Sequence, residues 1–281
     1  KDKQLAMETA FLSEYKAKKA ADPVVSVCCL TYNHEQFIAQ ALDGMLMQKT
    51  SFPYEIIVHD DASTDRTPEV VRQYAARHPQ TIRTIFQERN QFSRTGIYPI
   101  VNCYAAARGR YLAECDGDDY WTDPLKLQKQ ADYLDAHPEV VMCHHAYRIS
   151  SARGLLLPSE EKPRDFTAED LIAFPLQGYG MATSAKMFRN LYTEERRKDW
   201  EAFAGDYLLN VFLGTFGRGG AHYIDGINPS VYRKHKGNSW SGLSPKEIVA
   251  RTKAMHRKLY DLVLAMGNTR HAELRRIFLD G

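Results

Sequence analysis

The sequence predicts an α/β protein: a Rossmann-like, mostly parallel sheet with helices on both faces, and further helices at the termini. Three observations predict it. Between residues 24 and 135, apolar runs of strand length alternate four times with segments of helical period. The runs are almost continuously apolar, as strands covered on both faces are. Three of the four end in a polar cluster, which is where open parallel sheets bind ligands, beyond the carboxyl ends of the strands.

Each element has its own justification. "VVSVCCL" from residue 24 reads as a central strand; the helix after it carries Phe37, Ile38, Ala41, Leu42, Met45 and Leu46 on one face, with Asn33 as expected N-cap. "YEIIVHD" leads to a helix opened by Thr67 as N-cap with Pro68 at its first position. "TIRTIFQ" leads to a helix around Ile100, Val101, Tyr104 and Ala105, and "RYLAEC" to one that starts at Asp123-Pro124 and continues through Leu127, Ala131 and Leu134.

Beyond "VVMCHHAYRI" the alternation breaks down. Gly, Pro and charge mark a loop from 150 to 165, followed by a short helix from Thr167, a strand near "MATSAKMF", a helix in "GDYLLNVFLGTF" and a strand pair around "AHYID" and "SVYRKH". Residues 1–22 read as a helical extension, 23–240 as one undivided body, and 241–281 as C-terminal helices, the first opened by a capping box of Ser244 and Glu247 with Pro245 between them.

Composition narrows the function classes. Lys plus Arg number 37 against 35 Asp plus Glu, a formal net charge of +2, so no global field recruits nucleic acid or an anionic membrane. No apolar run approaches the ~20 residues that span a bilayer, and "KDKQLAMETAFLSEYKAKKAADP" is too charged for a secretory signal. The expectation is a cytoplasmic protein. Cys28, Cys29, Cys115 and Cys143 fall in apolar runs and no C-x-x-C pair occurs, which predicts buried, reduced thiols.

The chemistry is expected just after the strands: Thr31, Tyr32 and Asn33 after the first, Asp60, Asp61, Ser63 and Asp65 after the second, and "DGDDYW" after the fourth. Asp116, Asp118 and Asp119 crowd three carboxylates into four positions. Like charges so close resist desolvation, and a hard divalent cation, Mg²⁺ or Mn²⁺, relieves them while holding a diphosphate. Asp61 could accept from a base or ribose, and Tyr32 could stack on a flat ring. Ser63 and Asp65 suit turn or cap roles equally well, and Asp123 reads as an N-cap.

In order and spacing, "VSVCCLTYN", "IIVHDDASTDRT" and "GRYLAECDGDD" resemble the inverting glycosyltransferase family two, with its A-type nucleotide-sugar fold. The resemblance covers about residues 24–240. It implies a nucleotide-sugar half of about 23–150, with an acceptor half of about 151–240. It also implies that Thr31, Tyr32, Asn33, Asp61 and Asp116 contact the nucleotide, base and ribose included, and that Asp118, adjoined by Asp119, holds Mn²⁺ or Mg²⁺. Asp206 in "AGDYLL" sits where the family places its catalytic base, although Gly205 replaces the usual acidic neighbour. His235 resembles a late His that contacts metal or diphosphate, and Arg233 could support the phosphates. Arg94 lies in "NQFSRTG", which departs from the family's glycine-rich segment, and joins the nucleotide candidates. Ser239 and Trp240 are candidates for the acceptor side.

The implied partners are a nucleoside diphosphate sugar, expected to be a UDP-sugar, and a glycan or lipid-linked saccharide, with possible peripheral contact at the inner face of the membrane and no nucleic acid. Two other classes remain open. One is a Mg²⁺-dependent phosphoryl-transfer enzyme, although phosphatases of the haloacid-dehalogenase kind need Asp-x-Asp-x-Thr or Val after the first strand, where "TYNHE" stands instead, and receiver domains are much shorter. A non-catalytic nucleotide- or carbohydrate-binding module on the same scaffold is the third class, which only turnover separates.

Overall fold

β1 (Val25–Thr31) is the strand around which the sheet is ordered; all but one of its residues are buried, as the near-continuous apolar run predicts. The computed structural model describes residues 23–95, 99–150, 154–159, 164–173, 181–194, 197–202, 206–217 and 219–235, with scattered helical positions between 246 and 261. β1 is followed by α1 (Ile38–Leu46), β2 (Tyr54–Asp60), α2 (Thr67–Arg77), β3 (Ile82–Phe86), a short α3 (Gln91–Thr95), α4 (Ile100–Ala106), β4 (Tyr111–Glu114) and α5 (Lys126–Ala136). The second half holds β5 (Met142–His144), β6 (Tyr147–Ser150), β7 (Leu156–Pro158), α6 (Ala168–Ala173), β8 (Met187–Arg189), α7 (Arg197–Ala202), α8 (Asp206–Phe216), β9 (Ala221–Tyr223) and β10 (Ser230–Arg233).

The main sheet has the order β3-β2-β1-β4-β8-β5-β9. β1, β2, β3 and β4 are parallel, β8 runs against both β4 and β5, and β9 is parallel to β5. Apolar residues on alternating positions fill two cores, one on each face. Cys28, Ile57 and Leu112 face Tyr104, Trp200 and Phe212, whereas Val27, Val58 and Ala113 face Ile38, Leu42 and Leu127. Cys28, Cys29, Cys115 and Cys143 are buried and free, as their place in apolar runs predicts, and so is Cys103.

β1 sits at the point where the strand order reverses, with β2 on one side and β4 on the other, and such a switch point leaves a crevice at the carboxyl ends. At the other end of the same strands lies a buried ion network. Glu55 is 2 % exposed; its Oε1 accepts from Ser26 Oγ (2.7 Å) and the Arg108 amide (3.0 Å), and its Oε2 from Arg83 Nη1 (2.5 Å) and Arg108 Nη2 (2.9 Å). Burial pushes this carboxyl up, and the bonds from Arg108, Arg83 and Ser26 outweigh that and hold it below its ordinary range. Gly109 is required there, because a β-carbon would fall 2.5 Å from the Ser26 amide nitrogen.

Several expectations from the sequence change. Asp123 is not the N-cap of α5, which begins at Lys126 with Leu125 at the cap position; Asp123 Oδ1 accepts from the Leu125 amide at 2.7 Å. Asn33 does not cap α1: it has φ 56°, the left-handed region that Asn tolerates, and the helix begins only at Ile38. Thr67 is not a side-chain cap of α2; its Oγ1 accepts from the His34 amide at 2.8 Å, while Asp65 Oδ1 accepts from the Thr67 amide at 2.9 Å. "AHYID" and "SVYRKH" do not pair with each other. β9 closes the main sheet beside β5, whereas β10 joins a second sheet of order β10-β6-β7. The run "VVMCHHAYRI" is likewise split, β5 and β6 belonging to different sheets. The expected helix over residues 1–22, the capping box at Ser244 and Glu247, and Ser239 and Trp240 lie outside the described residues.

Candidate active site at the switch point

The turns after β1 and β4 meet above the crevice. The ladder between these strands continues past their ends, the Cys115 amide donating to Cys28 O (3.1 Å) and the Gly117 amide to Leu30 O (2.9 Å). This draws the Asp116-Gly117-Asp118 turn across the end of β1. Gly117 is indispensable to the approach, since a β-carbon would lie 2.6 Å from Thr31 Oγ1 and 3.0 Å from His34 Nδ1.

The loop after β2 holds the loop after β1 in place. Asn33 N donates to Ser63 Oγ (2.9 Å), Thr64 N to Asn33 Oδ1 (2.8 Å), Glu35 N to Asp65 Oδ2 (3.0 Å) and Arg66 N to Glu35 Oε2 (3.0 Å). Ser63 is itself held by Asp60, whose Oδ2 accepts from its hydroxyl at 2.6 Å. "ASTDR" is therefore a clasp. Ala62, at φ 63°, pays a local strain of the kind found at functional loops. The product of the clasp is a fixed pose for residues 32–35, with Tyr32 42 % exposed beside the cleft.

β10 closes the site from the far side. The Arg233 amide donates to Asp119 Oδ1 (2.9 Å), Arg233 Nη1 to Asp118 O (2.5 Å) and Arg233 Nη2 to Gln40 Oε1, while its guanidinium lies 4.4 Å from the Tyr120 ring centroid. Arg233 thus fastens the acidic turn to α1. Two residues later, His235 Nε2 is 2.9 Å from Asp118 Oδ2, and its ring packs on Phe37 at 4.7 Å.

The donor group that results is His34, Asp118 and His235, with one ligating atom from each within 4.8 Å of the others. His34 Nε2 lies 3.8 Å from Asp118 Oδ2. Burial raises the Asp118 carboxyl, but the bond to His235 and the nearby His34 outweigh it and hold the pKa below the ordinary range. Burial lowers the pKa of His34, favouring the neutral imidazole that a metal takes. Two buried polar atoms here, Thr31 Oγ1 and His34 Nδ1, have no hydrogen-bond partner. A carboxylate oxygen, two imidazoles and orphaned polar atoms in one crevice fit a divalent cation with its anionic ligand. A cleft of about 420 Å³ opens beside them, lined by Tyr32, Asn33, His34, Phe37, Asp65 and His235 among others.

The structure brings together Thr31, Tyr32, Asn33, Asp116, Asp118 and His235 as the sequence predicts, and it adds His34. Asp119, 2 % exposed, accepts from the Arg233 amide through Oδ1 and is not among the three residues whose ligating atoms lie together. Asp61 is 2 % exposed and spends Oδ1 on the Gln91 amide (2.7 Å) and Oδ2 on the Phe92 amide (3.1 Å), so it fixes the start of α3. Arg94 is exposed on that helix. Asp206 opens α8, as expected of a residue at a helix start; its side chain lies outside the described residues. α8 is seated on α6 through Gly214, where a β-carbon would fall 2.7 Å from Ala168 O.

Comparison with known proteins follows this geometry. The profile of the family described as "Glycosyl transferase family 2" matches residues 26–196. An uncharacterised protein of Mycobacterium tuberculosis, Rv1520, is 45 % identical over 152 residues, which cover 53 % of this chain and 43 % of that one. The match thus spans less than half of that relative's length. Among solved structures, S. aureus TarS 1-349 in complex with UDP-GlcNAc superposes with a TM-score of 0.63 at 20 % identity, covering 91 % of this chain and 70 % of that one. The mannosyltransferase PcManGT from Pyrobaculum calidifontis, in complex with GDP-Man and Mn²⁺, gives a TM-score of 0.54 at 18 % identity, covering 96 % and 85 %. These two likenesses concern the fold.

Proposed function

Because this chain belongs to glycosyl transferase family 2, we propose that it transfers a sugar from a nucleoside diphosphate donor, a UDP-sugar by preference, to a hydroxyl of a glycan or glycolipid, with inversion at the anomeric carbon. The observation that carries the reading is the meeting of the β1 and β4 turns at the switch point, where His235, bonded to Asp118, lines a cleft together with the exposed Tyr32. The UDP-GlcNAc and GDP-Man complexes of the two structural neighbours support a nucleotide-sugar ligand, and the Mn²⁺ of the second supports a divalent metal.

In this reading Tyr32 stacks on the base, Asp61 and Arg94 frame the base side, and Thr31, Asn33 and Asp116 face the nucleoside. Asp118 and His235 hold Mn²⁺ or Mg²⁺. A cation bound there offsets the charge that builds on the departing diphosphate. Asp206, at the start of α8, takes the proton from the acceptor hydroxyl as that oxygen bonds to the anomeric carbon and the bond to the nucleoside diphosphate breaks. The helix start suits this role, since its dipole favours a carboxylate. Acceptor selection falls to the region beyond residue 150, including Ser239 and Trp240. Growing surface polysaccharide or lipid-linked saccharide is the proposed acceptor class. The reaction would then take place at the inner face of the membrane; among the described residues no helix is long and apolar enough to cross one.

Incubation with UDP-sugars, Mn²⁺ and saccharide acceptors, with UDP release measured and the product's anomeric configuration read by proton NMR, tests the proposal. Release of UDP with an inverted anomer supports it, and Asp206→Asn should stop release while leaving UDP binding intact. Retained configuration, or release from Asp206→Asn at the wild-type rate, would remove the mechanism.

A further inference from the structure

We infer that His34 is a third protein ligand of the donor-site cation, giving a two-histidine, one-carboxylate set that favours Mn²⁺ over Mg²⁺. The inference rests on the donor-site reading above and deepens it. The sequence directs attention to Asp118, Asp119 and His235, a set with a single imidazole. The structure redistributes them. Asp119 is turned to the backbone of β10, and the position beside Asp118 is taken by an imidazole instead.

Several features of His34 have no other evident use. Its amide is pinned by Thr67 Oγ1, so the residue is held at the crevice by the backbone while the ring is left for another purpose. The side chain is only 13 % exposed, and its Nε2 lies 3.8 Å from Asp118 Oδ2, too far for a direct hydrogen bond. The ring is seated against Gly117, where any side chain would collide with it, so the acidic turn is shaped to admit the imidazole. It stands edge-on to the His235 ring at 6.0 Å, and its Nε2, like that of His235, is nearest Asp118 Oδ2. Ligands at right angles around a metal at about 2.1 Å are separated by about 3 Å. The distances to Asp118 Oδ2, 2.9 Å from His235 and 3.8 Å from His34, bracket that value. Imidazole nitrogen suits transition metals, whereas Mg²⁺ prefers carboxylate, phosphate and water.

The test is electron spin echo envelope modulation on Mn²⁺-loaded protein with UDP, which counts coupled imidazole nitrogens without a substitution. Calorimetric titration of Mn²⁺ and of Mg²⁺ accompanies it, with Asp118→Ala and His34→Gln, folding of each checked by thermal melting. Two imidazole couplings in the wild type, one in His34→Gln, and a Mn²⁺ affinity about tenfold lower in that variant with Mg²⁺ affinity little changed would support the inference. A single coupling in the wild type would overturn it even if His34→Gln did not fold. Loss of metal binding in Asp118→Ala, combined with unaltered Mn²⁺ binding in His34→Gln, would overturn His34 alone and leave the donor site standing. A wild type that binds neither cation would overturn both.

Discussion

The two ends of the parallel strands both bury polar and charged side chains, arranged to opposite purposes. At the amino end, the buried Glu55 carboxylate has both oxygens engaged by Ser26, Arg83 and Arg108. At the carboxyl end, Thr31 Oγ1 and His34 Nδ1 are buried with no partner, and a carboxylate is shared between two imidazoles. Closed polar networks hold a fold together, whereas unsatisfied ones mark where a ligand completes them. Substitutions at the two ends should therefore fail differently.

The largest effect on stability belongs to the amino end. Glu55→Ala leaves two guanidinium groups partly buried without their carboxylate, and denaturant unfolding should show a loss of about 3–5 kcal/mol. A loss below about 1 kcal/mol would mean the carboxylate is not engaged as described. Asp118→Asn, at the other end, should reverse the pattern: unfolding close to wild type, with turnover down about a hundredfold to a thousandfold. Gly117→Ala lies between these extremes, because its methyl must displace Thr31 or His34. It should cost about 1–3 kcal/mol and lower metal-dependent UDP affinity as well.

The last contrast is in pH. Burial depresses His59 and His144 to about 4, and in the unfolded chain both would titrate near 6.5. Their contribution is complete above about 6.5 and is lost as pH falls toward 4, at up to about 1.4 kcal/mol per pH unit for each. His59→Gln should flatten the fall in unfolding free energy between pH 6.5 and 4.5. Glu55, whose pKa is also lowered, has the opposite chemistry and a lower window: its contribution holds above the ordinary carboxylate range and declines only as pH falls through its depressed pKa. An unchanged slope in His59→Gln would mean that the imidazole is not buried in its neutral form.

What could be read from the sequence follows the same division. The first four strands and their helices are local: each apolar run is long enough to declare itself, and the residue after each is a candidate by position alone. Thr31, Tyr32, Asn33, Asp116 and Asp118 are candidates on that ground. His34 has the same signal, one residue further along "TYNHE", and is passed over because the eye stops at the aspartates. Asn33 fails as an N-cap because bonds from a remote loop, to Ser63 and Thr64, outweigh the local preference. The second half is less legible because its strands are three or four residues long and find partners far away, as when Ser230 pairs with Tyr147. No periodicity in "SVYRKH" could reveal that β10 carries Arg233 and His235 onto the acidic turn.

Calorimetric titration of UDP, with GDP as comparator, into the protein with Mn²⁺ and again with chelator, and into Asp118→Ala, tests the central claim most directly. The account predicts micromolar UDP binding that disappears with the metal or the carboxylate. UDP binding of equal strength in chelator and in Asp118→Ala, or no binding of either nucleotide under any condition, would contradict it.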